Sequence, residues 1–155
     1  MANQVFRGLL AALLLGGPTL AMADNDGQAR VNQLLAADPG YRTAWQNVVE
    51  KEERLPEWVI NLSGEAQPML GVEEQGEPYQ VGTLCETQAG CLQQRLIVAF
   101  SFDKKHAYAM LVEVPAGLPK DKSPSRHAAY RFLGKPDTGM QALLREQLKK
   151  DASWY

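Results

Sequence analysis

The chain of 155 residues contains little of what most catalytic and metal sites require. It has two cysteines and two histidines, without a Cys/His cluster of zinc spacing or an acidic loop of calcium spacing. A glycine-rich phosphate loop is missing, and no serine or cysteine stands in a recognisable nucleophile setting. His106 and His127 lie in polar, turn-like stretches and are expected to be solvated. The sequence therefore predicts a protein with no cofactor and no metal that is not an enzyme.

An excess of positive charge is also absent, because 16 Lys and Arg residues face 18 Asp and Glu residues and leave a net charge of −2. Nucleic-acid binding is driven by basic side chains that neutralise phosphates, so this balance argues against a nucleic-acid partner. The same balance is compatible with a cationic protein partner.

An apolar run typical of an export signal is confined to the N-terminus and is too short to span a bilayer. Arg7 precedes the run from Gly8 to Leu15, and Ala21-Met22-Ala23 supplies the small residues that a signal peptidase recognises. We expect residues 1–23 to be a cleaved signal peptide and residues 24–155 to form one domain in the periplasm, or outside the cell, without membrane attachment. Removing Arg7 leaves 15 basic against 18 acidic residues, a net charge of −3.

Apolar residues recur at helical spacing in the first third of the mature chain. One stripe, from Val31 to Leu35, ends at Asp38-Pro39-Gly40, and a second extends from Tyr41 to Val49. The segment from Leu55 to Ile60 is expected to anchor the second helix to the next part of the chain, with Trp58 filling the core.

Alternating apolar residues predict strands in the middle of the chain. We expect strands over 79–84, 92–102 and 107–114, joined as an antiparallel meander because short polar turns connect only antiparallel neighbours. Ahead of them, Glu73-Glu74 and Glu77, beside Gly76 and Pro78, are interpreted as part of a solvated turn.

The last third of the chain opens with a polar stretch, Pro115 to His127, that is expected to be a mobile surface loop. Ala129 to Leu133 can add one more strand, and Asp137 or Thr138 can cap a final helix whose apolar face extends from Met140 to Leu148. The predicted fold class is α+β, with an antiparallel sheet and helices packed on one of its faces.

The two cysteines, Cys85 and Cys91, enclose a short loop between two predicted strands. The residues between them are Glu86, Thr87, Gln88, Ala89 and Gly90. In an oxidising compartment the pair is expected to form one disulfide, worth about 2–2.5 kcal/mol for so short a ring. The ring can hold a loop ready to enter a partner's cleft, or it can simply staple the hairpin in register. The Ala89-Gly90 step is expected to soften the tip.

Three segments together resemble the inhibitor of vertebrate lysozyme family, called Ivy. They are the run from Leu55 to Val59 (Leu-Pro-Glu-Trp-Val), the run from Tyr79 to Val81, and the cysteine loop followed by Gln94-Arg95. The resemblance covers about residues 44–114. It implies a periplasmic α+β protein of a Gram-negative bacterium, with a curved antiparallel sheet flanked by helices, that blocks the cleft of a c-type lysozyme and can form a homodimer.

The family's blocking element, as the resemblance implies it, is a disulfide-closed loop with the pattern Cys-Lys-Pro-His-Asp-Cys. Its histidine donates charge-assisted hydrogen bonds to the catalytic carboxylates. Here the loop has five residues between the cysteines instead of four, and it contains no histidine, proline or lysine. Gln88 lies nearest the middle and can donate a neutral hydrogen bond, while Glu86 would bring negative charge toward a carboxylate pair. The fold, the compartment and the disulfide carry over, and potent lysozyme inhibition does not.

The sequence supports two functions from different classes. The first is a binding module that presents residues 86–90 to the cleft of a murein-cleaving enzyme, either a c-type lysozyme or a lytic transglycosylase with a single catalytic acid. The second is a structural or interaction protein without inhibitory activity, in which the disulfide staples a hairpin and binding maps to the sheet or to residues 115–127.

Overall fold

A computed structural model describes residues 30–119, 121–151 and 154. The predicted signal peptide, residues 1–23, lies outside the described residues. The helices are α1 (Val31–Ala37), α2 (Pro39–Val49), α3 (Glu57–Asn61) and α4 (Thr138–Lys149). The strands are β1 (Glu65–Ala66), β2 (Leu70–Glu74), β3 (Glu77–Cys85), β4 (Gln94–Ser101), β5 (Ala107–Glu113) and β6 (Ala129–Leu133). Within the described part of the chain, no helix is long and apolar enough to cross a membrane.

The helical expectations for the first third are confirmed. Asp38 ends α1 and caps α2, because its side chain accepts a hydrogen bond of 2.8 Å from the amide of Gly40 while Pro39 begins the helix. The indole of Trp45 donates to the carbonyls of Val59 and Ile60 at 3.1 and 3.0 Å. This contact anchors α2 to α3, as was predicted for the segment from Leu55 to Ile60.

All strands are antiparallel, in the order β1-β3-β4-β5-β6, and β2 pairs with the same edge of β3 as β1. A solvated turn lies where it was predicted, between Glu74 and Glu77, but Glu73, Glu74 and Glu77 themselves belong to the paired strands that it joins, with Glu74 opposite Glu77. The turn itself is only Gln75-Gly76, with φ of 52° and 80°. Positive φ at both residues is the geometry that joins two strands through a two-residue loop.

Helices cover both faces of the sheet, whereas packing on one face was predicted. Helices α1 to α3 pack over Leu84, Leu96 and Phe100, and α4 packs over Ile97 and its neighbours on the opposite face. The reason lies in β4, which is buried on both sides from Arg95 to Ser101. A strand with apolar residues at consecutive positions needs a cover on each face. The α+β class and the open antiparallel sheet are confirmed.

The segment from Pro115 to His127 connects β5 to β6 and contains one 3-10 turn, Pro124–Arg126. Its end is tied to the sheet, because the hydroxyl of Tyr130 donates to the carbonyl of Ser125 at 3.2 Å. The mobility expected of this loop remains a prediction.

Candidate functional site

The cysteine loop lies at one end of the sheet, between the last residue of β3 and the first residue of β4. Cys85 and Cys91 are joined by a disulfide, as predicted, with their Cα atoms 5.1 Å apart. Cys85 is buried and Cys91 is half-buried, so the bridge is the floor of the loop. The residues of the tip that are exposed to solvent are Glu86, Thr87, Gln88 and Ala89, with Gly90 half-exposed.

The tip is folded by its own hydrogen bonds as well as by the disulfide. Residues Gln88–Gly90 form a 3-10 turn, and Thr87 caps it by accepting the Gly90 amide at 3.1 Å through its hydroxyl. The amide of Gln93 donates to the carbonyl of Gly90 at 3.0 Å. The Ala89-Gly90 step was expected to soften the tip. It lies instead in a hydrogen-bonded turn, which Thr87 caps from three residues before Gly90.

Two polar networks hold the base of the loop. On one side, the indole of Trp58 donates to Gln94 at 3.1 Å, and Gln94 donates to Glu113 at 3.0 Å. On the other, the Arg95 Nε donates to the carbonyl of Cys91 at 3.0 Å. Because Trp58 is buried, as expected, the first network ties the loop to the α3 side of the sheet.

The loop forms a ridge with a groove on each side. One groove, of about 490 Å³, is lined by both cysteines and Gln88 over an apolar floor of Ile97 and Leu148. The other, of about 520 Å³, contains Glu86, Gly90, Glu113 and His127. A wider cleft of about 1030 Å³ follows between Leu92 and the segment from Pro115 to His127. The tip thus lies between two concave surfaces, and its residues line both of them.

Charge differs between these surfaces. The carboxylates of Glu86 and Glu113 share one groove, whereas the wider cleft is lined by Lys122 and Arg126 together with Asp121, whose carboxylate lies 4.0 Å from the Lys122 ammonium. Leu92 is 53% exposed beside them. An exposed leucine of this kind next to an ordered loop provides apolar contact area for a partner.

Shifted pKa values occur at the opposite end of the sheet. Burial raises the pKa of Tyr79, with a further contribution from Tyr108, and burial also raises the pKa of Tyr108. His106 stacks on Tyr108 with ring centroids 6.2 Å apart, and both histidines of the chain are exposed, as expected. Among the described residues, no group of three His, Cys, Asp or Glu side chains is placed to hold a metal ion.

Three further residues at the loop base were not among the predicted site residues: Arg95, Asp151 and Trp154. Asp151 accepts from Arg95 at 2.5 Å, and the Arg95 guanidinium lies 5.3 Å from the Trp154 ring centroid. Arg95 carried a signal, since it is a charged residue on a strand face that continues with the apolar Ile97 and Ala99. Asp151 and Trp154 carried none, because each lies more than fifty positions from Arg95 in the sequence.

The fold and this site define a class: α+β proteins with a disulfide-closed ridge at one end of an open antiparallel sheet. The family model of the inhibitor of vertebrate lysozyme (Ivy) matches residues 40–150. The chain therefore belongs to the Ivy family, which confirms the resemblance drawn from its sequence.

Three individual relatives are similar to the chain, and one of them bears the family's name. A Pseudomonas aeruginosa protein described as uncharacterized is 55% identical over 155 residues, covering 98% of this chain and 99% of its own length. The "Inhibitor of vertebrate lysozyme" of Pseudomonas aeruginosa is 35% identical over 154 residues, with coverage of 98% and 99%. An uncharacterized Yersinia pestis protein is 35% identical over 120 residues, 77% of each chain.

Proposed function

We propose that the protein is a periplasmic, non-enzymatic binding module that inserts the Cys85–Cys91 loop into the cleft of a murein-cleaving enzyme. The observation that carries this proposal is the form of the loop: a solvent-exposed tip closed by a disulfide and folded by internal hydrogen bonds. Family membership supplies the lysozyme-inhibitor context.

Pre-ordering is the physical reason why such a loop suits this role. Ordering a flexible residue costs about 1–2 kcal/mol of backbone entropy, which a free five-residue tip would lose on entering a cleft. Here the tip is already ordered in the free protein by the disulfide, the Thr87 cap and the hydrogen bonds of Gly90, so most of the entropy is lost on folding and not on binding. More of the contact energy then appears as affinity.

The chemistry of the tip favours a particular target. Gln88 offers a neutral donor, and Glu86 places a carboxylate near any acid at the bottom of a cleft. The ionised member of the two carboxyls in a lysozyme cleft would repel Glu86 even when the other is protonated, whereas a single protonated acid can donate a hydrogen bond to it. A lytic transglycosylase, with one catalytic acid, therefore fits better than a c-type lysozyme, which we expect to be bound weakly.

The test is inhibition of murein hydrolysis by the oxidised protein, titrated against a lytic transglycosylase and a c-type lysozyme. A variant with residues 86–90 replaced by glycines, and both cysteines kept, should lose inhibition by more than about tenfold because its tip has neither side chains nor the Thr87 cap. Unchanged inhibition by this variant would exclude the loop as the binding element.

A second function is favoured by the wide cleft beside Leu92, which offers an interaction surface independent of the loop. In that case the disulfide only staples the β3–β4 connection, and a double Lys122→Gln, Arg126→Gln variant should lose binding while the glycine-loop variant retains it. The homodimer implied by the family is checked separately by light scattering of the wild-type protein.

A further inference from the structure

Arg95 is a buried cation at the base of the loop. Its side chain is only 6% exposed, on the sheet face that α4 covers. Burying a guanidinium is unfavourable unless its charge and its hydrogen bonds are satisfied. Each of its contacts therefore offsets part of the cost of burying the charge. One of them is the hydrogen bond that Nε donates to the Cys91 carbonyl of the loop.

The other contacts of Arg95 come from the residues that follow α4. Its Nη1 lies 2.5 Å from the Asp151 carboxylate, and its guanidinium stacks over Trp154. Trp154 is 2% exposed and meets the ring of Tyr130 edge-on at 6.3 Å. Its amide donates to the Asp151 carbonyl at 3.1 Å, so Asp151 and Trp154 are held as one unit.

We propose that Arg95, Asp151 and Trp154 form a clasp that positions the disulfide loop, and that Arg95 is the positioning residue at its centre. The clasp connects the loop to the C-terminal segment through one planar guanidinium, which donates to the Cys91 carbonyl and to the Asp151 carboxylate. Lysine cannot replace it, because a single ammonium does not offer two donors in a fixed fork. The effect of the clasp on partner affinity rests on the proposed function, whereas its effect on the loop does not.

The clasp and the disulfide must stabilise each other reciprocally. If the clasp favours the conformation in which Cys85 and Cys91 are joined, closing the disulfide favours the clasp by the same factor. This coupling has a readout that needs no partner: the equilibrium between the protein disulfide and dithiothreitol. In that exchange one dithiothreitol is oxidised to its cyclic disulfide and the protein gains two thiols, so electrons and protons balance.

The first experiment compares the exchange equilibrium of the wild type with that of Asp151→Asn. Asp151 is 39% exposed, so the variant should fold. Asparagine keeps an oxygen acceptor for Arg95 but loses the negative charge, which makes such a hydrogen bond about twice as strong. We therefore expect its disulfide to be reduced about fivefold more readily. The matched control is Glu52→Gln, which neutralises the carboxylate of another ion pair between a sheet arginine and a residue just after a helix, with Glu52 3.0 Å from Arg131. An Asp151→Asn equilibrium equal to that of Glu52→Gln would overturn the clasp.

The second experiment uses Trp154 as a spectroscopic reporter. Reduction of the wild type should change tryptophan fluorescence because the clasp loosens, and Trp154→Phe should abolish most of that change. Reduction that leaves the emission unaltered would also overturn the proposal.

Target inhibition separates this inference from the proposed function. If Asp151→Asn shifts the exchange equilibrium but the wild type inhibits neither murein enzyme, the clasp is supported and the proposed function is contradicted. If the wild type inhibits but Asp151→Asn leaves the exchange equilibrium unshifted, the clasp is contradicted and the proposed function is supported.

Discussion

Gln88 occupies the middle of the closed loop, exposed to solvent at the start of the 3-10 turn. The family pattern implies a histidine in this part of the loop, and here the longer loop offers an amide. A neutral amide makes weaker hydrogen bonds to a carboxylate than a protonated imidazole does. If the loop enters an enzyme cleft as proposed, the difference between the two side chains bears directly on which catalytic groups it can bind.

Substituting Gln88→His should raise inhibition of a c-type lysozyme by about tenfold or more, because a charge-assisted hydrogen bond contributes roughly 1.5–3 kcal/mol. The measurement is the inhibition constant on whole cell walls. Gln46→His, the same change at an exposed position of α2, is the matched control and should leave the constant unaltered. An equal response from the two variants would show that the loop does not meet the catalytic carboxylates.

Among the elements, α4 is the one whose start and apolar face were predicted and whose placement was not. Asp137 caps the helix by accepting the Met140 amide at 2.8 Å, and Leu144 and Leu148 are buried. Its periodicity gave no indication of which face of the sheet it covers. The turn before it, with Gly134 and Lys135 at φ of 83° and 55°, leads the chain to the face opposite α1–α3.

Removing this cap provides a test of α4 alone. Asp137→Ala should lower the free energy of unfolding by about 1 kcal/mol and the Tm by about 4 °C, since one helix-terminal amide loses its acceptor. Asp137→Asn, which keeps an oxygen acceptor, should remain near the wild type. Equal losses in the two variants, measured by thermal and urea unfolding, would assign the effect to charge instead of capping.

The junction of α1 and α2 gives the stability a pH dependence. The hydrogen bond from Lys104, followed by that from the Gly40 amide, lowers the pKa of Asp38 below its ordinary value of 3.8. A carboxyl with a lower pKa in the folded state stabilises the protein above the unfolded value, and this contribution is lost as the pH falls through the folded value.

Asp38→Asn should therefore be less stable than the wild type at pH 6, and the difference should shrink below about pH 4. Urea unfolding at a series of pH values measures it. A difference that stays constant down to pH 2 would mean that the Lys104 contact does not contribute through the charge of Asp38.

For the whole molecule, the sequence was most informative where contacts are local. The strand Ala129–Leu133, the Asp38-Pro39 boundary and the cysteine pairing all follow from patterns within a few residues. The short strand β1 was not predicted, because two residues carry no period and are held only by pairing with Leu84 and Cys85.

In the candidate site, too, the local features could be predicted and the long-range contacts could not. The exposed tip, residues 86–90, could be predicted because cysteine spacing and turn residues are local signals. The contacts that hold its base could not, since Trp58 reaches Gln94 across 36 positions and Arg95 reaches Asp151 across 56. Only the assembled sheet brings these side chains together.

The most direct measurement is the affinity of a murein-cleaving enzyme for the oxidised protein and for a Cys85→Ala, Cys91→Ala variant, at a temperature where both are folded. If the closed loop is the binding element, the open variant must order its tip on binding, and its affinity should fall on the order of thirtyfold, the equivalent of about 2 kcal/mol. Equal affinities, with only the stability of the variant reduced, would contradict the loop as the docking element and leave the disulfide as a staple.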